Sequence, residues 1–212
     1  VVGLFVGVVG LALLPFGSWQ TALADPDPGV PEGRWSVQLL GGTPSAGVTH
    51  GILHGGAEDP EDDARGRTFS IGASYSLYRA EREVLGIDVD PEIAVQGSLV
   101  AVDERSRSPF LNPRVAFAVH WNDFPWSDIV PTTVAIGGGL SWSAQIYGVD
   151  RQKHPDEHRS HLKFYWPIEI AVTLPRFPRQ QLVFFSHHQS GGTIFDEGGF
   201  ETYGVGFRYR FE

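Results

Sequence analysis

The chain has 212 residues, a formal net charge of −9 and no cysteine. That length allows one domain-sized fold, and the missing thiols exclude a disulfide framework, a thiolate metal site and a lipid-modified cysteine anchor. The negative balance argues against nucleic acid as a partner, and a charged fraction of 19% is low beside the roughly 25% usual for soluble domains.

Val1 to Phe16 is uncharged and apolar, and it is followed by Ala22-Leu23-Ala24 and then Asp25-Pro26-Asp27-Pro28. An apolar core ending at a small-residue site fits a secretory signal. Residues 1–24 are therefore expected to be a cleaved signal peptide, and 25–212 a single exported domain. The competing reading is a transmembrane anchor, for which the run is slightly short of the roughly 20 residues needed. Beyond it no apolar stretch is long enough for a spanning helix. A membrane protein without such helices must be a closed barrel, the one other form that satisfies every backbone group in lipid.

Eight segments alternate with period two. Trp35, Val37 and Leu39 oppose Ser36 and Gln38. Phe69, Ile71, Ala73, Tyr75 and Leu77 oppose Ser70, Gly72, Ser74 and Ser76. Ile87, Val89, Ile93, Val95 and Leu99 oppose Asp88, Asp90, Glu92, Gln96 and Ser98. Val115, Phe117, Val119 and Trp121 oppose Ala116, Ala118 and His120. Val134, Ile136, Leu140 and Trp142 oppose Thr133, Gly137, Gly139, Ser141 and Ser143. Phe164, Trp166, Ile168 and Ile170 oppose Glu169 and Ala171. Leu182 to Gln189 is the seventh strand and Phe200 to Phe211 the eighth. In the eighth, Tyr203, Val205, Phe207, Tyr209 and Phe211 alternate with Gly204, Gly206, Arg208 and Arg210, an aromatic-ended strand suited to closing a barrel.

Repeated alternation over about ten residues is the strand template of outer-membrane barrels. The expected fold is all-β, an eight-stranded antiparallel transmembrane β-barrel. A soluble β-sandwich is the alternative, and aromatic residues near strand ends, where a membrane interface would lie, favour the barrel. Long outer connections are expected at about Thr43 to Arg67, Val100 to Asn112, Ala144 to Ser160 and Gly191 to Gly199. Short inner ones fall near Arg79 to Glu83, Asn122 to Pro131 and Leu174 to Gln180. Asp88, Asp90, Glu92 and Glu169 share the polar face with Arg208 and Arg210, so opposite charges are expected to pair inside. Pro167 implies a bulge or a ladder defect.

His188 and Ser190 are two residues apart on one strand, so their side chains leave the same face. Glu201 has the outward parity of Tyr203 and Val205, and the hairpin brings it near Ser190. A hydroxyl, an imidazole that takes its proton and a carboxylate that orients the imidazole form a hydrolytic triad. Gly191 and Gly192 follow, where free backbone amides would stabilise an ester oxyanion. Ser186 with His187 is a rival pair on the same strand, and Asp196 and Glu197 are rival acids.

His188-x-Ser190, a glycine-rich loop and Glu201 shortly before an aromatic-alternating strand resemble the lipid A 3-O-deacylase (acyloxyacyl hydrolase-like) family. The resemblance is specific over roughly the last thirty residues and architectural elsewhere. It implies an outer-membrane esterase that removes an ester-linked acyl chain from the lipid A of lipopolysaccharide, with His188 as general base, Ser190 as nucleophile and Glu201 as the orienting acid. Lipopolysaccharide and outer-membrane lipids would be its partners, no metal or cofactor is called for, and a homodimer is compatible with the reading. The family commonly has Asn-Ala after the serine, where this chain has Gly191-Gly192. The alternatives are a non-enzymatic structural or adhesive barrel, and a phospholipase using the same residues.

Other clusters are weaker. His154, His158 and His161 have a spacing zinc could use, but they fall in an expected solvated loop. Glu58 to Asp63 is an acidic tip without calcium-loop spacing. Arg105, Arg107, Arg151 and Lys153 lie in outer loops where they could meet phosphates.

Overall fold

The computed structural model describes residues 34–46, 65–79, 82–84, 87–89, 91–105, 107–122, 124–153, 155–156, 158–174 and 176–211. The expected signal segment and the acidic tip lie outside them. Eight strands close into an antiparallel barrel: β1 (Trp35–Ser45), β2 (Gly66–Arg79), β5 (Pro91–Glu104), β6 (Phe110–Trp121), β7 (Thr132–Trp142), β8 (Leu162–Leu174), β9 (Phe177–Ser190) and β10 (Gly199–Arg210). Going round, the order is β1-β10-β9-β8-β7-β6-β5-β2. The expected closure is met: β10 pairs with β1 from Ser36↔Arg210 to Ser45↔Glu201.

Alternation decides which residues face where. Phe69, Ile71, Val115, Phe117, Val205 and Phe207 are each more than half exposed on the outer wall. An apolar band that a monomer in water would have to hide is what a lipid-facing wall requires. The inner face is polar and paired. Glu169 bonds Arg208 and lies 3.3 Å from His187 Nε2, while Glu92 takes Arg79 at 3.0 Å and Arg210 at 3.1 Å. A charge so placed would be costly without its partner.

The third segment departs from expectation. Ile87–Val89 (β4) pairs with Arg82–Val84 (β3) as a separate two-stranded sheet, and the barrel strand starts at Pro91. Asp88 thus lies opposite Glu83 in that hairpin rather than on the inner barrel face, and Asp90 lies outside the described residues. Ile87 and Val89 share the parity of Ile93 and Val95, so alternation carried no mark of the break. Proline has no N–H to donate, and the first position of a strand tolerates it.

Pro167 does produce a ladder defect. β7 and β8 pair at Ile136↔Ile168 and again at Gly139↔Tyr165 in the same register, with the two positions between them unpaired. Loop lengths are less regular than expected. The β6–β7 connection at the inner end (122–131) is longer than the outer β5–β6 connection (105–109).

The β7–β8 connection plugs the outer mouth. Val149 of its short helix α1 (Gly148–Lys153) and the preceding Tyr147 pack with Val100, Val102, Phe110 and Phe200. Tyr147 donates to Asn112 Oδ1 at 2.9 Å, and Gly148 N donates to Glu104 Oε1 at 2.9 Å. A plugged mouth leaves the wall as the accessible surface.

Candidate active site

β8, β9 and β10 are consecutive neighbours, and their registers fix two adjacent rows near the outer rim. Phe164, Ser190 and Gly199 form one row, and Trp166, His188 and Glu201 the next. All have outward parity. His187 has the opposite parity and is interior, held between Glu169, Arg114 Nη1 at 3.4 Å and Tyr165 at 3.1 Å. The rival Ser186–His187 pair is therefore split between the two faces.

Glu201 is the direct cross-strand partner of His188. Its Oε1 lies 3.7 Å from His188 Nδ1, with the imidazole 37% exposed and the carboxylate 8%. That leaves Nε2 as the ring nitrogen available to a hydroxyl. No hydrogen bond joins Ser190 Oγ to the ring among the described residues. Both nevertheless flank one point: a methyl at Gly199 would lie 3.2 Å from Ser190 Cβ and 3.5 Å from His188 Cε1. This is an open arrangement, and catalytic hydrogen bonds often tighten only when substrate is bound.

The turn after Ser190 corrects one expectation. Gly191 N–H donates to Gly198 O at 2.9 Å, while Gly191 O accepts from Phe195 N at 2.9 Å and Ile194 N at 3.1 Å. Gly191 therefore has no free amide for an oxyanion. Gly192 N–H has no such partner among the described residues. Gly192 has φ +61°, and a Cβ there would come within 2.8 Å of the Phe164 ring. The left-handed turn and the close ring both require glycine.

Asp196 is committed elsewhere, so it is not the acid of His188. It accepts from Lys163 Nζ at 2.6 Å, Ser160 N at 2.7 Å and Gly198 N at 2.8 Å. Lys163 also reaches Asp150 at 3.0 Å. Burial opposes ionisation of Asp196, but these donors outweigh it and hold its carboxyl below the ordinary value. Asp150 goes the other way, raised by burial against the pull of Lys163. The pair of carboxylates on one lysine pins the loop that follows Ser190 to the plug.

Of the histidine cluster, His161 is used locally, its Nδ1 lying 2.6 Å from Ser143 O. His158 is exposed, and His154 lies outside the described residues. Arg107 is likewise spent on the plug, donating to Ile146 O at 2.7 Å. Gly199 and the Lys163–Asp196 contact were not singled out from the sequence. Gly199 matters only once the register sets it opposite Ser190.

No protein-family model and no curated protein matches the chain. Among solved structures, the crystal structure of the outer membrane enzyme PagL aligns with a TM-score of 0.57 and 12% identity, over 82% of this chain and 98% of PagL. The two share a fold. At that identity the likeness carries the architecture alone, and the side chains must carry the chemistry.

Proposed function

We propose that this protein is an outer-membrane esterase that removes an ester-linked (3-O) acyl chain from the lipid A of lipopolysaccharide. The observation that carries the reading is the opposition of His188 and Glu201, with Ser190 on the same outward face beside Gly199. A base, its orienting acid and a hydroxyl gathered on a wall of apolar residues suit an ester that lies in the membrane. The fold shared with an outer membrane enzyme and the resemblance of the final thirty residues support the same choice.

Ser190 Oγ attacks the ester carbonyl carbon as its proton passes to His188 Nε2. Glu201 steadies the imidazolium through Nδ1. The oxyanion forms beside the turn, where Gly192 N–H is the available amide. Collapse breaks the bond to the sugar oxygen, which leaves with the proton from His188. Water, deprotonated by His188, then attacks the acyl-serine and releases the fatty acid. Substrate reaches the site by lateral diffusion in the outer leaflet, since the barrel mouth is closed by the plug.

The test is fatty-acid release from purified lipopolysaccharide by protein folded in detergent. Ser190→Ala and His188→Ala each abolish release while keeping the heat-modifiable gel shift of a folded barrel. Full activity in either variant overturns the mechanism. Release from glycerophospholipid but not from lipopolysaccharide would reassign the enzyme as a phospholipase. No release from either by the unmutated protein leaves a non-enzymatic barrel.

A further inference from the structure

We infer that the outer wall beside the catalytic rows carries a phosphate-recognition cleft, which receives the phosphorylated sugar of the same glycolipid whose ester reaches Ser190. The inference rests on the proposed function and assigns a second contact to it.

The register continues past Glu201 in the other direction. Tyr203 lies opposite Thr43 of β1. Thr43 Oγ1 bonds Gly66 O at 2.9 Å, which brings β2 alongside, and Arg67 lies opposite Asp103 of β5. These residues share outward parity and surround a cleft of about 530 Å³ that also takes in Arg65 and Arg105. Arg105 N donates to Arg65 O at 3.2 Å, so the backbone itself holds the two arginine-bearing segments together. Three arginines and one aspartate line it, on a chain whose overall balance is −9, and one of the three carries the inference.

Arg67 is the informative member. It faces Asp103 across the ladder, yet the two form no ion pair, and Arg67 makes no hydrogen bond among the described residues. It is exposed on a wall whose lower part is apolar. A guanidinium at the upper edge of a lipid-facing band meets headgroups rather than acyl chains. Its planar fork of donors suits bidentate contact with a phosphate, the anion that the phosphorylated sugar presents there. From β9 to β2 is three strand spacings of about 4.8 Å, so roughly 14 Å separates the cleft from the nucleophile along the sheet. The cleft therefore meets a different part of the substrate from the ester, and it orients the molecule instead of reacting with it.

The experiment compares bisphosphorylated lipid A with its dephosphorylated counterpart, both in neutral-detergent micelles, using the full chain. Arg67→Gln and the Arg67→Gln/Arg105→Gln pair raise KM for the phosphorylated substrate, by about tenfold for the loss of one charge-assisted contact, and leave kcat unchanged. Neither changes KM for the dephosphorylated substrate. Arg176→Gln, exposed between β8 and β9 at the opposite end of the barrel, controls for lost charge alone and changes neither. Equal effects on both substrates, or none, overturn the inference. Binding of the same two micelles by the Ser190→Ala protein supplies a readout independent of hydrolysis. Should the unmutated protein prove inactive, a preference for phosphorylated micelles that disappears with Arg67→Gln still supports the cleft, and no preference overturns it. Competition by millimolar inorganic phosphate as effective as that by the lipid would mean a free-anion site and would overturn the glycolipid assignment.

Discussion

Gly199 and Ser190 face each other across the β9–β10 ladder, and the absent side chain of Gly199 leaves open the space between the serine and the His188 ring. A Cβ 3.2 Å from Ser190 Cβ is tighter than ordinary packing allows. Gly199→Ala should therefore displace the hydroxyl from the imidazole by a few tenths of an ångström. Since a misplacement of about 1 Å costs on the order of a hundredfold, kcat should fall by about three- to tenfold, with the barrel still folded because the site is on the outer wall. Steady-state fatty-acid release measures it, and an unchanged kcat would show that the two groups do not cooperate.

Glu201→Gln keeps the shape of the acid and removes its charge. If Glu201 orients the ring and stabilises the imidazolium, kcat falls on the order of 10³- to 10⁴-fold with little change in KM. A loss smaller than tenfold would reduce Glu201 to a bystander.

His187 and His188 are adjacent but lie on opposite sides of the wall. His187→Gln loses interior contacts to Glu169, Arg114 and Tyr165, which should lower stability by about 1 to 3 kcal/mol in urea unfolding. Its kcat should stay within a few-fold of the unmutated protein. Loss of activity in a folded His187→Gln protein would mean that the interior, not the outer wall, does the chemistry.

Asp196→Asn tests the anchor of the loop behind Ser190. Breaking a buried ion pair costs about 3 to 5 kcal/mol, and Asp150 still holds Lys163, so the loss should sit near the lower figure. The pH dependence follows from the lowered carboxyl. Its folded value lies beneath its unfolded one, near the ordinary 3.8, so the anchor's contribution is complete above that value and is lost as the pH falls through the folded one. In Asp196→Asn this acid limb of the urea-midpoint profile should flatten. An identical limb in both proteins would place the acid sensitivity elsewhere.

Most of the barrel is written locally. Alternation over Phe69 to Leu77, or Tyr203 to Phe211, dictates which side chains face lipid, because successive side chains on a strand point to opposite sides whatever the neighbours do. The same rule put His188, Ser190 and Glu201 on the outer wall and Glu92, Glu169, Arg208 and Arg210 within it. It could not detect the break before Pro91, since a hairpin and a barrel strand that keep the same parity look alike in sequence.

What tertiary structure alone decided was register and hydrogen-bond occupancy. Residues from separate strands become neighbours only when ladders form, so Gly199 beside Ser190, Arg67 beside Asp103 and Asp196 on Lys163 had no local signature. Gly191 shows the same limit at the level of one atom. A glycine after a nucleophile offers an amide in sequence, but its N–H is spent on Gly198 O once the loop closes on itself.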